Sequence, residues 1–331
     1  MEKNFVHLHL HTEYSLLDGV GKIEEYIEKA KSLKMKALAI TDHGNMFGAI
    51  EMYQKALASG IKPIIGMEAY VSEFGAESKE GRIFHLVLLA QNNTGYKNLI
   101  KISSFAYTQG FYYKPRVDKE FLKNHSEGII ALSACMQGEI SRRVLDRESD
   151  ENIEKAINEY IDIFGKDNFY IEVQGNGIKE QKELNKKLKA LAESFDLKLV
   201  ATNDTHYVNK GDDTLQDILL CIQTGAKVSE EKRMRIETDE LYFKSREEII
   251  QSLGEEYIEG VNNTEEIASR CNVSIEFGKF KFPYYEIPEN FSSTSDFLKY
   301  LVYKGLEERY PFGISLSLIH ISEPTRRTPI S

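Results

Sequence analysis

The chain is short of disulfide partners, membrane-length apolar runs and positive charge. Its three cysteines, Cys135, Cys221 and Cys271, are too few and too scattered for a disulfide framework. A reducing, cytoplasmic setting is expected. No stretch approaches the ~18 apolar residues that cross a bilayer, so no membrane partner is expected. The opening residues MEKNFVHLHL lack the basic flank and long apolar core of a secretion signal. Lysine and arginine number 42 against 52 aspartates and glutamates, a net charge of −10. That argues against a strongly basic, non-specific nucleic-acid binder, which rests on many Lys/Arg–phosphate contacts. A nuclease whose bound metals supply the positive charge is still allowed.

What is present is a globular composition, 41% hydrophobic and 28% charged over 331 residues. By length, one domain of roughly 250 residues with an appendage is expected. Apolar or aromatic runs at Phe5–Leu10, Ala37–Thr41, Pro63–Val71, Ile83–Ala90, Ile129–Ser133, Asn168–Val173 and Leu197–Thr202 read as strands. Most are continuous rather than alternating, which predicts parallel strands covered on both faces. Amphipathic stripes lie between them: Ile23, Tyr26, Ile27, Ala30 and Leu33; Ile153, Ile157, Tyr160, Ile161 and Phe164; Leu184, Leu188, Leu191, Ala192 and Phe195. Asp150 is the expected N-cap of the second. Repeated strand–helix–strand units predict an α/β chain, either a closed or nearly closed (β/α) barrel or a doubly wound open sheet.

Beyond Thr202 the pattern turns helical over Asp213–Gln223, Glu247–Leu253 and Glu256–Cys271. A proline-containing linker follows at Phe282–Ser293, then a helix over Ser295–Arg309. From Gly313 the sequence GISLSLIHISEPTRRTPIS has little amphipathic order and resembles a translated sequencing-adaptor scar. Residues 313–331 are expected to be a non-native tail.

The chemistry concentrates at strand ends. His7, His9 and His11 are spaced by two, which on a strand places all three rings on one face. Thr41-Asp42-His43-Gly44 closes the second run, and Glu68 lies in the third. His85 opens the fourth, Cys135 follows the fifth, and Asp204 and His206 follow the seventh. Strand ends converge at a barrel mouth, where active sites lie. With Asp18 from the first loop, the candidate ligands are His9, His11, Asp18, His43, Glu68, His85, Cys135, Asp204 and His206. Nine such groups suit two or three ions with Glu68 bridging, and the mixed donor set suits Zn²⁺, Mn²⁺ or Fe²⁺. Clustered divalent ions bind phosphate and activate water, which points to hydrolysis of a phosphate ester.

These motifs resemble the polymerase and histidinol phosphatase (PHP) family. The segments FVHLHLHTEYSLLDGVGKIEEYI, ALAITDHGNMFGAIEMY, IKPIIGMEAYV, HLVLLAQNNTGYKNLIKISS, GFYYKPRVD and LVATNDTHYV resemble the PHP domains of bacterial replicative DNA polymerase III alpha subunits. The similarity begins at residue 5 with no preceding nucleic-acid-binding module and no inserted exonuclease domain, which favours the DnaE type. It implies a distorted (β/α)7 barrel over residues 1–285 with a helical extension. Residues 286–312 would be a linker and the first helix of a polymerase body.

The resemblance also implies three divalent metals. His9 and His11 would hold the first with Glu68 and Asp204. Glu68 would bridge to a second held by His85 and Cys135, and Asp18, His43 and His206 would hold a third. Glu68, Asp204 and His206 would carry the catalysis, and His7 and Asp42 would orient ligands by hydrogen bonds. The implied activity is a metal-dependent 3′→5′ exonuclease that proofreads. Its implied partners are the primer 3′ end of DNA, the rest of the alpha subunit and other holoenzyme subunits, a separate proofreading exonuclease included. No palm-type carboxylate pair is present, so the chain alone is not expected to polymerise DNA. Two other functions fit: a metal-stabilised scaffold that docks a separate proofreading subunit, and a free-standing histidinol-phosphatase-like enzyme.

Lys114 and Arg116, beside Tyr112 and Tyr113, suit either a DNA-backbone contact or a loop pinned to the barrel. Lys232, Arg233 and Arg235 read as a solvated basic cluster. Cys221 and Cys271 read as core, His125 as a surface loop residue, and Gly44 as a turn.

Overall fold

The computed structural model describes residues 4–280 and 282–312. The chain forms two compact units that divide between Ile275 and Glu276, ten residues before the edge expected at 285. The expected tail over 313–331 lies outside the described residues.

Eight strands build the first unit: β1 (Ala37–Ile40), β2 (Lys62–Ser72), β3 (Ile83–Ala90), β4 (Phe111–Tyr112), β5 (Lys114–Val117), β6 (Ile129–Leu132), β7 (Phe169–Gln174) and β8 (Leu199–Thr202). Their order is β4-β5-β2-β3-β6-β7-β8, with β1 also on β2. Residues 5–11 close the ring. Ala39 N donates to His7 O at 3.0 Å and Thr41 N to Leu10 O at 2.9 Å on one side. On the other, His11 N donates to Thr205 O at 2.8 Å and Thr205 N to His9 O at 3.2 Å. The closed circuit of residues 5–11, β1, β2, β3, β6, β7 and β8 is a distorted (β/α) barrel, with the β4–β5 hairpin attached to β2.

Three expectations need correction. The first run is extended but not a regular strand. Side chains substitute for its ladder: Val6 N donates to Thr264 Oγ1 and Leu10 N to Thr41 Oγ1. The sheet is mixed, because β3 pairs antiparallel with both β2 and β6. No helix separates β2 from β3, so the chain returns as a hairpin instead of a crossover. The helix Asp150–Phe164 is capped by Ser149, whose side chain accepts from Asn152 N, and not by Asp150.

Alternate strand residues serve two apolar layers. Leu38, Ile40, Ile65, Met67, Leu86, Leu88, Ile171 and Val173 face the surrounding helices, including Tyr26, Ile27, Ile157 and Leu188. Ala37, Ala39, Ile64, Val87, Leu89, Ile130, Leu132, Tyr170 and Val200 fill the barrel with Ile267, Ala268 and Cys271 from the end of the helix Ile258–Arg270. One end of the barrel is therefore an apolar plug. Continuing the inward register past Ile64, Val87, Tyr170 and Val200 brings Glu68, His85, Glu172 and Thr202 to the opposite end. The antiparallel course of β3 explains why a histidine at its start joins residues at the finish of parallel strands.

In the second unit, Ser293 caps the helix Thr294–Arg309, and Phe291 packs its ring near Phe297 and Tyr300. Among the described residues no helix is long and apolar enough to cross a membrane.

Candidate metal centre

The polar rim is built on tight backbone. Asp204, just past β8, has φ +49°, and Ala134, just past β6, has φ +62°. Both turn the chain sharply off a strand in a conformation that L-residues seldom adopt. Gly19 lets the Asp18 loop fold back, since a Cβ there would sit 2.0 Å from Thr12 O. Gly44 has φ +63°, and a Cβ there would lie 2.7 Å from Pro115 Cγ, so the turn after His43 needs glycine.

All nine candidate ligands gather at this rim. Glu68 is fully buried at their centre. Its carboxylate lies 3.2 Å from His9 Nε2, 2.6 Å from His43 Nδ1 and 2.9 Å from His85 Nδ1. Asp204 Oδ1 lies 3.2 Å from His9 Nε2 and 3.1 Å from His11 Nε2. Asp18 reaches His43 Nε2 at 3.2 Å and His206 Nε2 at 3.6 Å. Cys135 Sγ is 3.7 Å from His85 Nδ1. Three groups have ligand atoms within 4.8 Å of one another: His9, His11 and Asp204; His43, Glu68 and His85; His11, His43 and His206.

His7 does not share this face. Its Nε2 lies 2.9 Å from Lys244 O and its ring packs on Phe243 at 4.0 Å. Leu8 joins the barrel interior while the adjacent His9 reaches Glu172, so the two-residue alternation breaks there. Asp42 touches no imidazole. It accepts from Thr12 N at 2.7 Å and Ser15 Oγ at 2.7 Å, and Ser15 Oγ lies 3.0 Å from His11 Nδ1.

Glu172 escaped the sequence reading. It is buried in the middle of β7, where FYIEVQ reads as an apolar strand, and the lone acid within that run was the available signal. Glu172 Oε1 lies 2.7 Å from His9 Nδ1 and also accepts from Gln174 and Thr202. Gln216 was missed too; its Nε2 donates to Asp18 Oδ1 at 2.9 Å.

These partners decide where the ring protons sit. His9 Nδ1 faces a carboxylate, His11 Nδ1 a serine oxygen whose own proton goes to Asp42, and His206 Nδ1 the Asp204 carbonyl at 2.7 Å. Each Nδ1 is therefore the donor, and in the neutral rings each Nε2 keeps its lone pair. Two of those nitrogens, His9 Nε2 and His11 Nε2, are 3.1 Å apart. Beside them lies the buried Asp204 Oδ1, which has no donor while both rings are neutral. Two lone-pair nitrogens and an unsatisfied carboxylate oxygen around one point fit a cation.

The electrostatics agree. Burial alone would lower the His9 pKa, but Asp204, Glu172 and Glu68 outweigh it and hold it well above 6.5. His43 is likewise disfavoured by burial yet raised to about 10, chiefly by Glu68 and Asp18. His11 is lowered to about 3 by burial and by the charges of His43 and His206. Burial opposes the charge on Glu68, Asp18 and Asp204, yet the imidazoles hold all three below the ordinary carboxylate range. Burial, then Asp204 and Glu68, pushes the Cys135 thiol up. Without a cation, protons on His9 and His43 must balance the acids; divalent ions would displace them.

Arg116 is buried, and its guanidinium donates to the carbonyls of Gly110, Ser78 and Ala76, so it pins the loop and is not free for DNA. Lys114 is exposed and its Nζ sits 5.2 Å from the Tyr70 ring centroid. Arg233 is not merely solvated, since it pairs with Asp217. His125 caps the helix Lys119–Asn124 and stacks on Phe121. Cys221 and Cys271 are buried.

A distorted α/β barrel with a polar rim of histidines, carboxylates and a thiol defines a candidate polynuclear metal-site protein. The PHP domain model matches residues 7–176, and the chain belongs to the PHP domain family. It is 47% identical over 315 residues to the DNA polymerase III subunit alpha of Treponema pallidum, covering 93% of this chain and 26% of that one. To the subunit of the same name from Borreliella burgdorferi it is 45% identical over 312 residues, 92% of this chain and 27% of the relative. To that of Thermus aquaticus it is 43% identical over 327 residues, 94% and 26% respectively. The chain thus spans about a quarter of the length of the curated relatives it matches.

Proposed function

We propose that this chain is the N-terminal part of a bacterial DNA polymerase III alpha subunit, with residues 1–285 forming a PHP domain that removes nucleotides from the 3′ end of DNA. The observation that carries this reading is the buried Asp204 Oδ1, which meets His9 Nε2 at 3.2 Å and His11 Nε2 at 3.1 Å and has no other donor, so that with both rings neutral it shares one point with two lone pairs. Residues 286–312 lead into a polymerase body. DNA polymerisation belongs to the remainder of the alpha subunit, which with the other holoenzyme subunits is this domain's partner.

In this reading His9, His11, Glu68 and Asp204 hold one divalent ion. Glu68, His85 and Cys135 hold a second, and Asp18, His43 and His206 a third. When bound, such ions neutralise the acids, lower the pKa of water and stabilise charge on a phosphate. The protein's own groups do the rest. Glu172, Ser15 and the Asp204 carbonyl hold the three Nδ1 protons, so the rings cannot flip out of register. Glu68 ties the sub-sites together by touching rings from three different segments. Asp204 and His206 have side-chain exposures of 14% and 6% and share the open side of the rim with Asp18, His43 and His85, whereas His9, His11 and Glu68 are at 0%. Asp204 is placed to take a proton from the attacking water and pass it to the leaving 3′ oxygen, while His206, its Nδ1 proton held by the Asp204 carbonyl and its Nε2 turned to the third ion, would serve as a ligand.

The test is metal analysis of the purified chain together with digestion of a primer carrying a 3′ mismatch. Bound Zn, Mn or Fe and digestion that His9→Ala or Asp204→Ala abolishes are expected. No digestion with any of these metals overturns the assignment. The complete burial of His9, His11 and Glu68 favours a second reading, a metal-stabilised scaffold that docks a separate proofreading exonuclease. Chelation that lowers the melting temperature of a chain without hydrolytic activity supports it.

A further inference from the structure

Next to the rim the surface keeps large aromatic rings in water. Phe47 is 56% exposed, Phe111 57% and Tyr107 39%. They form a run, Phe47 to Tyr107 at 6.0 Å between centroids and Tyr107 to Phe111 at 6.1 Å. Both ends are tied to the walls of the metal centre. Phe47 N donates to Asn45 Oδ1, and Asn45 Nδ2 donates to the carbonyl of His43. Phe111 pairs with Pro115, which lies against Gly44. Lys114, in the same hairpin, stands over Tyr70, and the Tyr70 ring is 5.2 Å from that of His85.

We infer that Phe47, Tyr107 and Phe111 are a stacking platform for unpaired bases of single-stranded DNA whose 3′ end enters the metal centre, with Lys114 on a phosphate. This rests on the phosphodiesterase reading above. Contiguous exposed aromatics mark a binding surface, and a base offers a flat face of matching size. In a duplex those faces are stacked on one another, so the platform selects single strands. The chain carries a net charge of −10, and the exposed cations identified at this hairpin are few, Lys114 over Tyr70 and Lys79 over Tyr112. Binding should therefore come from stacking, with a shallow dependence on salt.

The test is fluorescence anisotropy of the whole chain with Zn²⁺ and a labelled, phosphorothioate-linked oligothymidylate. The comparison is the same oligomer with abasic sites at its three 3′-proximal positions. Wild type should prefer the base-bearing strand, and Phe47→Ala, Tyr107→Ala and Phe111→Ala should each lose about five- to a hundredfold in affinity for it. They should also lose the preference over the abasic strand. Circular dichroism checks that the exposed-site variants fold. Equal binding of both strands by wild type, or unchanged discrimination in all three variants, overturns the platform; a surface that docks protein instead gives that result. Hydrolysis of bis(p-nitrophenyl) phosphate, which has no base, tests the metal-centre reading separately. Turnover without base discrimination sinks the platform alone, and discrimination without turnover supports the platform while removing the hydrolytic role.

Discussion

Glu172 Oε1 holds the Nδ1 proton of His9 at 2.7 Å, and this contact orients a ring that other groups approach from the far side. The acid sits in β7 and the ring in the segment that closes the barrel, so closure and site geometry depend on each other. Glu172→Gln keeps the shape but removes the charge. Metal affinity should fall about ten- to a hundredfold, as for other partners that orient ligating imidazoles, while all nine candidate ligands remain. Competition with a chromophoric chelator measures it, and an unchanged affinity would show that Glu172 serves packing alone.

Asp204 has φ +49°, a conformation that asparagine tolerates better than most residues. Asp204→Asn should therefore fold, with a circular dichroism spectrum like that of wild type. It should bind metal more weakly and lose at least about a hundredfold in hydrolysis, because a neutral amide supplies neither the anionic donor nor the proton acceptor. Asp204→Ala adds backbone strain to that loss and should melt at a lower temperature than Asp204→Asn. Differential scanning fluorimetry separates the two effects.

Stripping metal should destabilise the fold. Asp18, Glu68, Glu172 and Asp204 crowd one buried rim, and without cations only imidazolium protons oppose them. A ligand at about a thousand times its Kd stabilises by ~4 kcal/mol. For a unit of this size that is a shift of roughly 10 °C in melting temperature. Chelation should lower the melting point by that order and re-addition of Zn²⁺ or Mn²⁺ should restore it.

The rim was readable from sequence because its side chains stand at or beside strand ends, where a barrel must converge. The alternating strand and helix patterns made the α/β class readable but left a barrel and an open sheet as alternatives, because the patterns do not show which strands pair. Strand direction was not readable: Ile83–Ala90 has the same apolar character whether it runs parallel or antiparallel, and only the short link from β2 distinguishes them. His7 was misplaced because a strict two-residue period was assumed where the chain departs from it. Glu172 was hidden by its apolar neighbours. Arg116 fitted a phosphate contact and a pinned loop equally, because a sequence does not reveal the three carbonyls that surround its guanidinium.

Arg116 yields a prediction that separates fold from DNA contact. Its removal leaves the Gly110, Ser78 and Ala76 carbonyls without this donor, at contacts that are buried or partly buried. Arg116→Ala should cost about 3 kcal/mol, the range for losing a buried charged donor to several acceptors. Arg116→Lys should recover only part, since one ammonium cannot span three carbonyls as a planar fork does. Urea denaturation measures both. If Arg116→Ala leaves stability unchanged, the loop is held by something other than this fork.

Acid should weaken the barrel through a cluster away from the metal centre. Glu73 accepts from Arg82, and that hydrogen bond is the main reason its carboxyl lies below the usual range. Burial opposes the charge on Glu148, but Arg82 and Arg143 prevail and lower it too. Both side chains are mostly covered, at 13% and 18% exposure. A carboxyl depressed in the folded state binds fewer protons there than in the unfolded chain as pH drops through the window between the two pKa values. The stabilisation is therefore fully present above the ordinary glutamate pKa near ~4.3 and is lost as pH falls through the lower folded values. Denaturant midpoints of the metal-free chain should decline from about pH 5 downward. The Glu73→Gln, Glu148→Gln double variant should be less stable near neutrality and show a flatter decline, and parallel curves for it and wild type would move the acid sensitivity elsewhere.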